Sequence, residues 1–222
     1  MHRCTVIVFA LILVVAVISD AQQHPFNVHD LVAMQRIGDP RPSPDGTRVA
    51  FTVTTMDLEA NKGRRDIWVA ATDGSGANRL TTDPANDWGP RWSGDDALYF
   101  LTSRSGSVQV WRWDFASGAA SQTTDLPLDV GELAVGPHGK ALYLGLSVFP
   151  DCDDSIPCTV KRLKAREAEK ASGMIFDQVF VRHWDTWKDG RRNHIFRVPL
   201  AENGTAGSPV DLMPGVDLSL IH

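Results

Sequence analysis

The densest cluster of chemistry-bearing side chains in this chain is "RHWDTW", which sets His183, Trp184 and Asp185 in a row with Trp187 just beyond. Imidazole and carboxylate can hold or move a proton, and an indole offers a flat apolar wall. Two roles fit. Either the four residues line a surface that helps to place a peptide, or the two tryptophans fill an interface between sheets while His183 and Asp185 hold a turn. Neighbours in a strand point to opposite faces, so Trp184 and His183 would not meet one substrate. The spacing therefore favours the second role.

Elsewhere the parts of a reactive centre do not assemble. Histidines stand at 2, 24, 29, 138, 183, 194 and 222, and none has a second histidine at the i+2 or i+4 spacing of a metal pair. A serine nucleophile on a strand-to-helix turn needs G-x-S-x-G. That string does not occur: "DGSGAN" from Asp73 reads as a turn, and "SRSGSVQ" from Ser103 lacks the spacing. "DDALYF" from Asp95 holds two carboxylates, but in a turn, where aspartate serves local hydrogen bonds. The reading is no catalytic residue, no metal and no cofactor within these residues.

Two cysteines lie in "DCDDSIPCT", Cys152 and Cys158, among Asp151, Asp153 and Asp154. They fit a disulfide, a metal site with the carboxylates, or two free thiols. Zinc prefers four compact ligands and no histidine is near in sequence, which favours the disulfide. The third cysteine, Cys4, falls in a leader. "MHRC" supplies a positive start, Thr5–Ile18 is an unbroken apolar run, and Ser19 and Ala21 are small residues at the −3 and −1 positions of a cleavage site. The run has 14 residues, and a membrane-spanning helix wants about 20. Residues 1–21 are thus expected to be a secretory signal, and the product secreted, lumenal or periplasmic. In that setting "NGT" makes Asn203 a glycosylation acceptor. A net charge of −5 with no basic stripe argues against nucleic acid.

The elements that would position these residues are written in repeats. "PSPDGTRVAFTV" from Pro42, "WSGDDALYFLTS" from Trp92 and "VGPHGKALYLGL" from Val135 each pass from turn residues into a two-residue alternation. A second phrase interleaves: "RDIWVAATDGSG" from Arg65, "QVWRWDFASGAA" from Gln109 and, more loosely, "HIFRVPLAENGT" from His194. Short polar strands follow at "NRLTTD" and "ASQTTD". Repeats of about 40–50 residues built only of short strands are the mark of β-propeller blades. The tryptophans of these phrases, at 68, 92, 111 and 113, read as core. Two stretches differ. Residues 22–40 read as a lead with a short helix, in which Leu31 and Met34 share a side and Gly38 and Pro40 end it. Residues 159–173 read as a solvated helical insertion within a blade. Residues 41–222 form the partial propeller, of three to four blades.

"SPDG" at Ser43–Gly46 with "VAFTV", "DIWV" and "RLTTD" resembles the propeller of prolyl oligopeptidase family serine peptidases. "DCDDSIPCTVKRLKAREAEKASG" and "FVRHWDTWKDGRRNHIFRV" resemble its secreted dipeptidyl-peptidase V and acylaminoacyl-peptidase branch. The likeness runs from about Val28 to Val216. It implies a propeller that caps an α/β-hydrolase domain and admits short peptides but not folded proteins. The chain departs from that plan. Its class is all-β, an incomplete propeller with a helical insertion, and the α/β-hydrolase domain with its nucleophile is missing. The expectation is the N-terminal part of a secreted serine exopeptidase, inactive alone, whose partners are short peptides and the missing hydrolase domain. The alternative is a non-catalytic secreted module that binds peptides or proteins, its open arc closed by self-association.

Overall fold

A computed structural model describes residues 24–152, 155–171, 173, 175–176, 182–184, 186–201 and 203–218. The predicted signal segment, Asp185 and the carboxylates Asp153 and Asp154 lie outside the described residues. The chain divides into two units, Met1–Val32 and Ala33–His222.

A short helix, α1 (Val28–Ala33), all but its last residue in the first unit, begins at a capping box. Asn27 Oδ1 accepts the amide of His29 at 2.8 Å, and Asp30 accepts the Asn27 amide at 2.8 Å. The helix ends sooner than the sequence suggests.

Among its described residues the second unit holds three four-stranded antiparallel sheets, a small hairpin and one α-helix. The first sheet is a meander of β1 (Arg36–Pro42), β2 (Arg48–Asp57), β3 (Lys62–Ala71) and β4 (Ala77–Arg79). The second repeats it with β5 (Asp87–Ser93), β6 (Ala97–Thr102), β7 (Gln109–Asp114) and β8 (Ala119–Gln122). The third has β9 (Val130–Val135), β10 (Ala141–Val148), β13 (Arg192–Pro199) and β14 (Val210–Asp211). First strands of successive sheets lie against one another, β1 on β5 and β5 on β9. The fourth strands make no comparable contact among the described residues. First strands therefore converge on an axis and fourth strands splay outward, as in propeller blades.

The faces between sheets are apolar. Ala50, Ile67 and Val69 of the first sheet pack on Leu98 and Phe100 of the second, with Trp92, Trp111 and Trp113 half-buried at the margin. Tyr99, Leu101 and Val110 pack on Leu142, Leu144, Leu146 and Phe196 of the third. The reason is the alternation in β6: Leu98 and Phe100 face one way, Tyr99 and Leu101 the other. No single blade could bury both faces.

The repeated phrases have a structural cause. Thr81 Oγ1 accepts the amide of Ile67 at 3.0 Å, and Thr124 Oγ1 that of Val110 at 2.9 Å. One threonine of each phrase, the first in "TTD" of the first blade and the second in that of the second, thus completes the ladder of the third strand beyond the end of the fourth. Asn86 Oδ1 accepts the Arg65 amide and Asp129 Oδ1 the Val108 amide, tying each third strand to the start of the next blade.

Three expected boundaries move. The first blade begins at Arg36 rather than at residue 41, because "RIGDPRP" pairs with β2 across a bulge between Gly38 and Arg41. The second blade has the same bulge between Trp88 and Arg91. The insertion helix, α2 (Ser155–Glu167), starts and ends earlier than residues 159–173. Pro157 sits in its first turn, where a missing amide costs no hydrogen bond.

Cys152 and Cys158 are joined as a disulfide, their Cα atoms 5.7 Å apart. Asp151 takes a two-point ion pair from Arg162 at 2.7 and 2.8 Å, which holds its carboxyl below the usual range. Among the described residues no group of three metal-ligating side chains assembles. α2 is pinned on the third sheet. Buried Thr159 accepts the Phe149 amide at 3.0 Å, and Arg162 and Arg166 bracket the Phe149 ring. Since other contacts hold the helix and the loop is short, replacing both cysteines by serine is expected to cost about 2 kcal/mol or less. Thermal unfolding with and without reductant measures it.

Candidate functional site

Of the "RHWDTW" stretch the structure describes residues 182–184 and 186–187. β11 (Arg182–His183) and β12 (Thr186–Trp187) make a two-stranded hairpin. Trp184 is in its turn with φ 52° and is 84% exposed, and Trp187 is 53% exposed. Neither tryptophan fills an interface between sheets, which corrects that expectation. Nor does Trp184 alternate with His183 in one strand, since the chain turns there. Trp187 stacks on Phe176 with ring centroids 5.7 Å apart, beneath the Arg182 guanidinium. Asn203 is exposed in a turn, its Oδ1 accepting the Thr205 amide at 3.0 Å.

The structure does bring a serine, a histidine and an aspartate together. Ser155 Oγ donates to Asp211 Oδ2 at 2.6 Å, and His194 Nδ1 meets the same oxygen at 2.9 Å. His194 Nε2 faces the Val216 carbonyl at 2.9 Å. This order is wrong for nucleophilic catalysis, which needs the hydroxyl on the histidine. Here serine and histidine both serve the carboxylate, and the ring is 1% exposed. Burial raises the Asp211 carboxyl, but hydrogen bonds from His194, Ser155 and the Met213 amide outweigh it and hold the group below the ordinary carboxylate range. The trio fastens α2 and β14 to β13.

His194 belongs to a row that the sequence reading missed. Asp66, Gln109 and His194 each precede the aliphatic residue of the third-strand phrase, and each is buried. Asp66 meets Arg79 at 2.9 Å. Gln109 accepts from Thr124 and from the Leu126 amide, at 2.8 and 2.9 Å. Identity varies while the place is kept, so only the recurrence of a polar residue before Ile67, Val110 and Ile195 could have signalled it.

A cleft of about 420 Å³ runs along the converging first strands. Arg36, Thr54 and Arg65 lie side by side across β1, β2 and β3, paired in register. Thr52 sits one pleat deeper on the same face, followed by the apolar Ala50. The opposite walls are Trp88, Leu101, Leu133 and Glu132. Two backbone positions shape the rim. Asp39 has φ 48° and Gly89 φ 65°, at matching places in the first two bulges. Asp39 accepts from Arg41 and from Arg91 of the next blade, both at 2.7 Å, and so ties the two first strands together. At the other end Arg48 stacks against Trp92 and Phe115 of the second blade, and Trp92 Nε1 donates to the Arg41 carbonyl at 2.8 Å.

Three successive four-stranded meanders, converging on their first strands and packed face to face, define the class as a β-propeller, of which the chain supplies three blades. No protein-family model matches the chain. Among curated proteins it is 23% identical over 194 residues to dipeptidyl-peptidase 5 of Porphyromonas gingivalis, across 83% of this chain and 26% of that protein. It is 29% identical over 121 residues to the uncharacterized peptidase YuxL of Bacillus subtilis, across 54% of this chain and 18% of that protein. Among solved structures, the Pyrococcus horikoshii acylaminoacyl peptidase superposes with a TM-score of 0.58 at 16% identity, over 82% of this chain and 25% of that one. The chain is thus homologous to a propeller portion of dipeptidyl-peptidase 5 and YuxL-type peptidases, and it spans about a fifth to a quarter of the length of these curated relatives. Among the described residues no helix is long and apolar enough to cross a membrane.

Proposed function

We propose that the chain is propeller from a secreted serine exopeptidase that hydrolyses short peptides, and that its ring controls which substrates reach the catalytic domain. The observation that carries this is the alignment with dipeptidyl-peptidase 5, which takes in 83% of this chain but only 26% of that protein. The predicted signal, the disulfide and the exposed sequon at Asn203 favour an oxidising compartment outside the cytosol, periplasmic or extracellular. Peptides would meet the axial cleft, and the hydrolase domain would supply the acyl-transfer chemistry. Within the described residues the one Ser–His–Asp grouping is wired for structure. The 222-residue chain is therefore expected to give no turnover of dipeptidyl or aminoacyl chromogenic substrates, whereas the native secreted protein cleaves them. Turnover by the short chain well above the background of substrate alone would show a catalytic site within it. Failure of the native protein to cleave any such substrate would overturn the exopeptidase reading.

A further inference from the structure

We propose that the axial cleft is a binding site for a carboxylate, carried by a short peptide and gripped by Arg36 and Arg65 with Thr52 beneath them. The choice of a peptide rests on the functional reading above, but the preference for a carboxylate does not. Arg36 and Arg65 are exposed, and among the described residues no carboxylate pairs with either guanidinium. They flank Thr54 on adjacent strands, so their side chains leave the same face of one sheet. Neighbouring strands are about 4.8 Å apart, which puts the two arginine positions about 10 Å apart, near enough for both long side chains to converge on one anion.

The independent sign of a ligand is Thr52. Its side chain lines the cleft and is 7% exposed, yet its hydroxyl has no hydrogen-bond partner among the described residues. Such a group costs about 1–3 kcal/mol if it stays unpaired, so folded proteins rarely leave one. Its side chain leaves the same face of β2 as Thr54, one pleat deeper, and in the proposed complex the hydroxyl turns to donate to the bound anion. Arg91 does not compete, because Asp39 already occupies it. Trp88 and Leu133 give the aliphatic part of a ligand an apolar wall, and Glu132 on the far side keeps the anion at the arginine end.

Calorimetric titration of the 222-residue chain tests this with three peptides: Ala-Ala-Ala as the free acid, the same peptide amidated, and Ala-Glu-Ala amide. The free acid is expected to bind, and amidation to weaken it about tenfold or more. Binding by Ala-Glu-Ala amide, with Ala-Ala-Ala amide silent, also supports the site and identifies a side-chain carboxylate as its ligand. The double variant Arg36→Gln, Arg65→Gln should lose the acid-specific binding while melting as the parent does, since both residues are exposed. Thr52→Val removes the unpaired hydroxyl. It should weaken binding of the acid yet leave the melting temperature unchanged or raised, an outcome that a purely structural threonine would reverse. Equal binding of acid and amide, an unaffected double variant, or no binding of any peptide at about 1 mM would overturn the proposal. A failed peptidase assay would leave this binding result standing, so the two readings fail separately.

Discussion

Replacing Arg104 by alanine is expected to lower stability by about 3–5 kcal/mol, because it strands a buried carboxylate. Asp87 is fully buried at the first residue of β5. Its two oxygens each accept from the Arg104 guanidinium at 2.7 Å. The same guanidinium lies over the rings of Trp111, at 4.8 Å, and Phe100, at 5.6 Å. A single nitrogen, Nη2, donates to both oxygens while the flat guanidinium lies over the two rings, a stacking that lysine's compact ammonium cannot reproduce. Arg104→Lys should therefore recover only part of the loss. The site feels this pair through the backbone, since Asp87 sets the start of the strand that carries Trp88 and Gly89 at the cleft. Urea unfolding of the three proteins measures the effect, and a lysine variant as stable as the parent would show that charge alone suffices.

His194→Ala is the second large expected loss, again about 3–5 kcal/mol near neutral pH. The variant leaves the Asp211 carboxyl without its imidazole and the Val216 carbonyl without a donor, both in the packing of the third blade. Its pH dependence follows from Asp211. Hydrogen bonds in the folded protein hold that carboxyl below its unfolded value of about 3.9. The stability it supplies is therefore fully present above that value and is lost as the pH falls through the lower folded value. Asp211's share of the parent's stability should hold down to mild acid and be lost only below about pH 4, which urea unfolding of the parent and an Asp211→Asn variant between neutrality and acid measures. A gap between those two that closed nearer neutrality would place the titration on a group other than Asp211.

The second and third strands of each blade were legible from their alternation. Leu98 and Phe100 alternate with Tyr99 and Leu101 because the second blade is packed on both faces, and Val49, Phe51 and Val53 recur at every second position of β2 on the face opposite the buried Ala50. The "TTD" phrase was legible as a repeat, though its reason, a threonine hydroxyl that completes a ladder, needs the fold. The first strands were not legible as strands. They lie at the axis with one edge unpaired, so β1 is exposed along almost its whole length and shows no alternation. Each of the first two also carries a bulge and a proline, Pro40 or Pro90, which read as strand breakers. The recurrence of "PRPS" from Pro40 as "PRWS" from Pro90 was the available signal, 50 residues apart. The cleft was hidden for the same reason, because Arg36 and Arg65 become neighbours only once β1 and β3 flank β2. The tryptophans at 184 and 187 misled in the opposite direction, since aromatic density suggests burial and the hairpin instead carries them at the surface.

The central claim is that these blades are propeller of a larger secreted peptidase. The most direct measurement is the intact mass of the native protein, captured with an antibody against residues 161–170 and reacted with a serine-directed phosphonate. The account predicts a labelled product about three times the 24.4 kDa of this chain, enough for the rest of the ring and a hydrolase domain. An unlabelled product of about 22–24 kDa, the size of this chain with or without its leader, would contradict it and make the three blades a binding module in their own right.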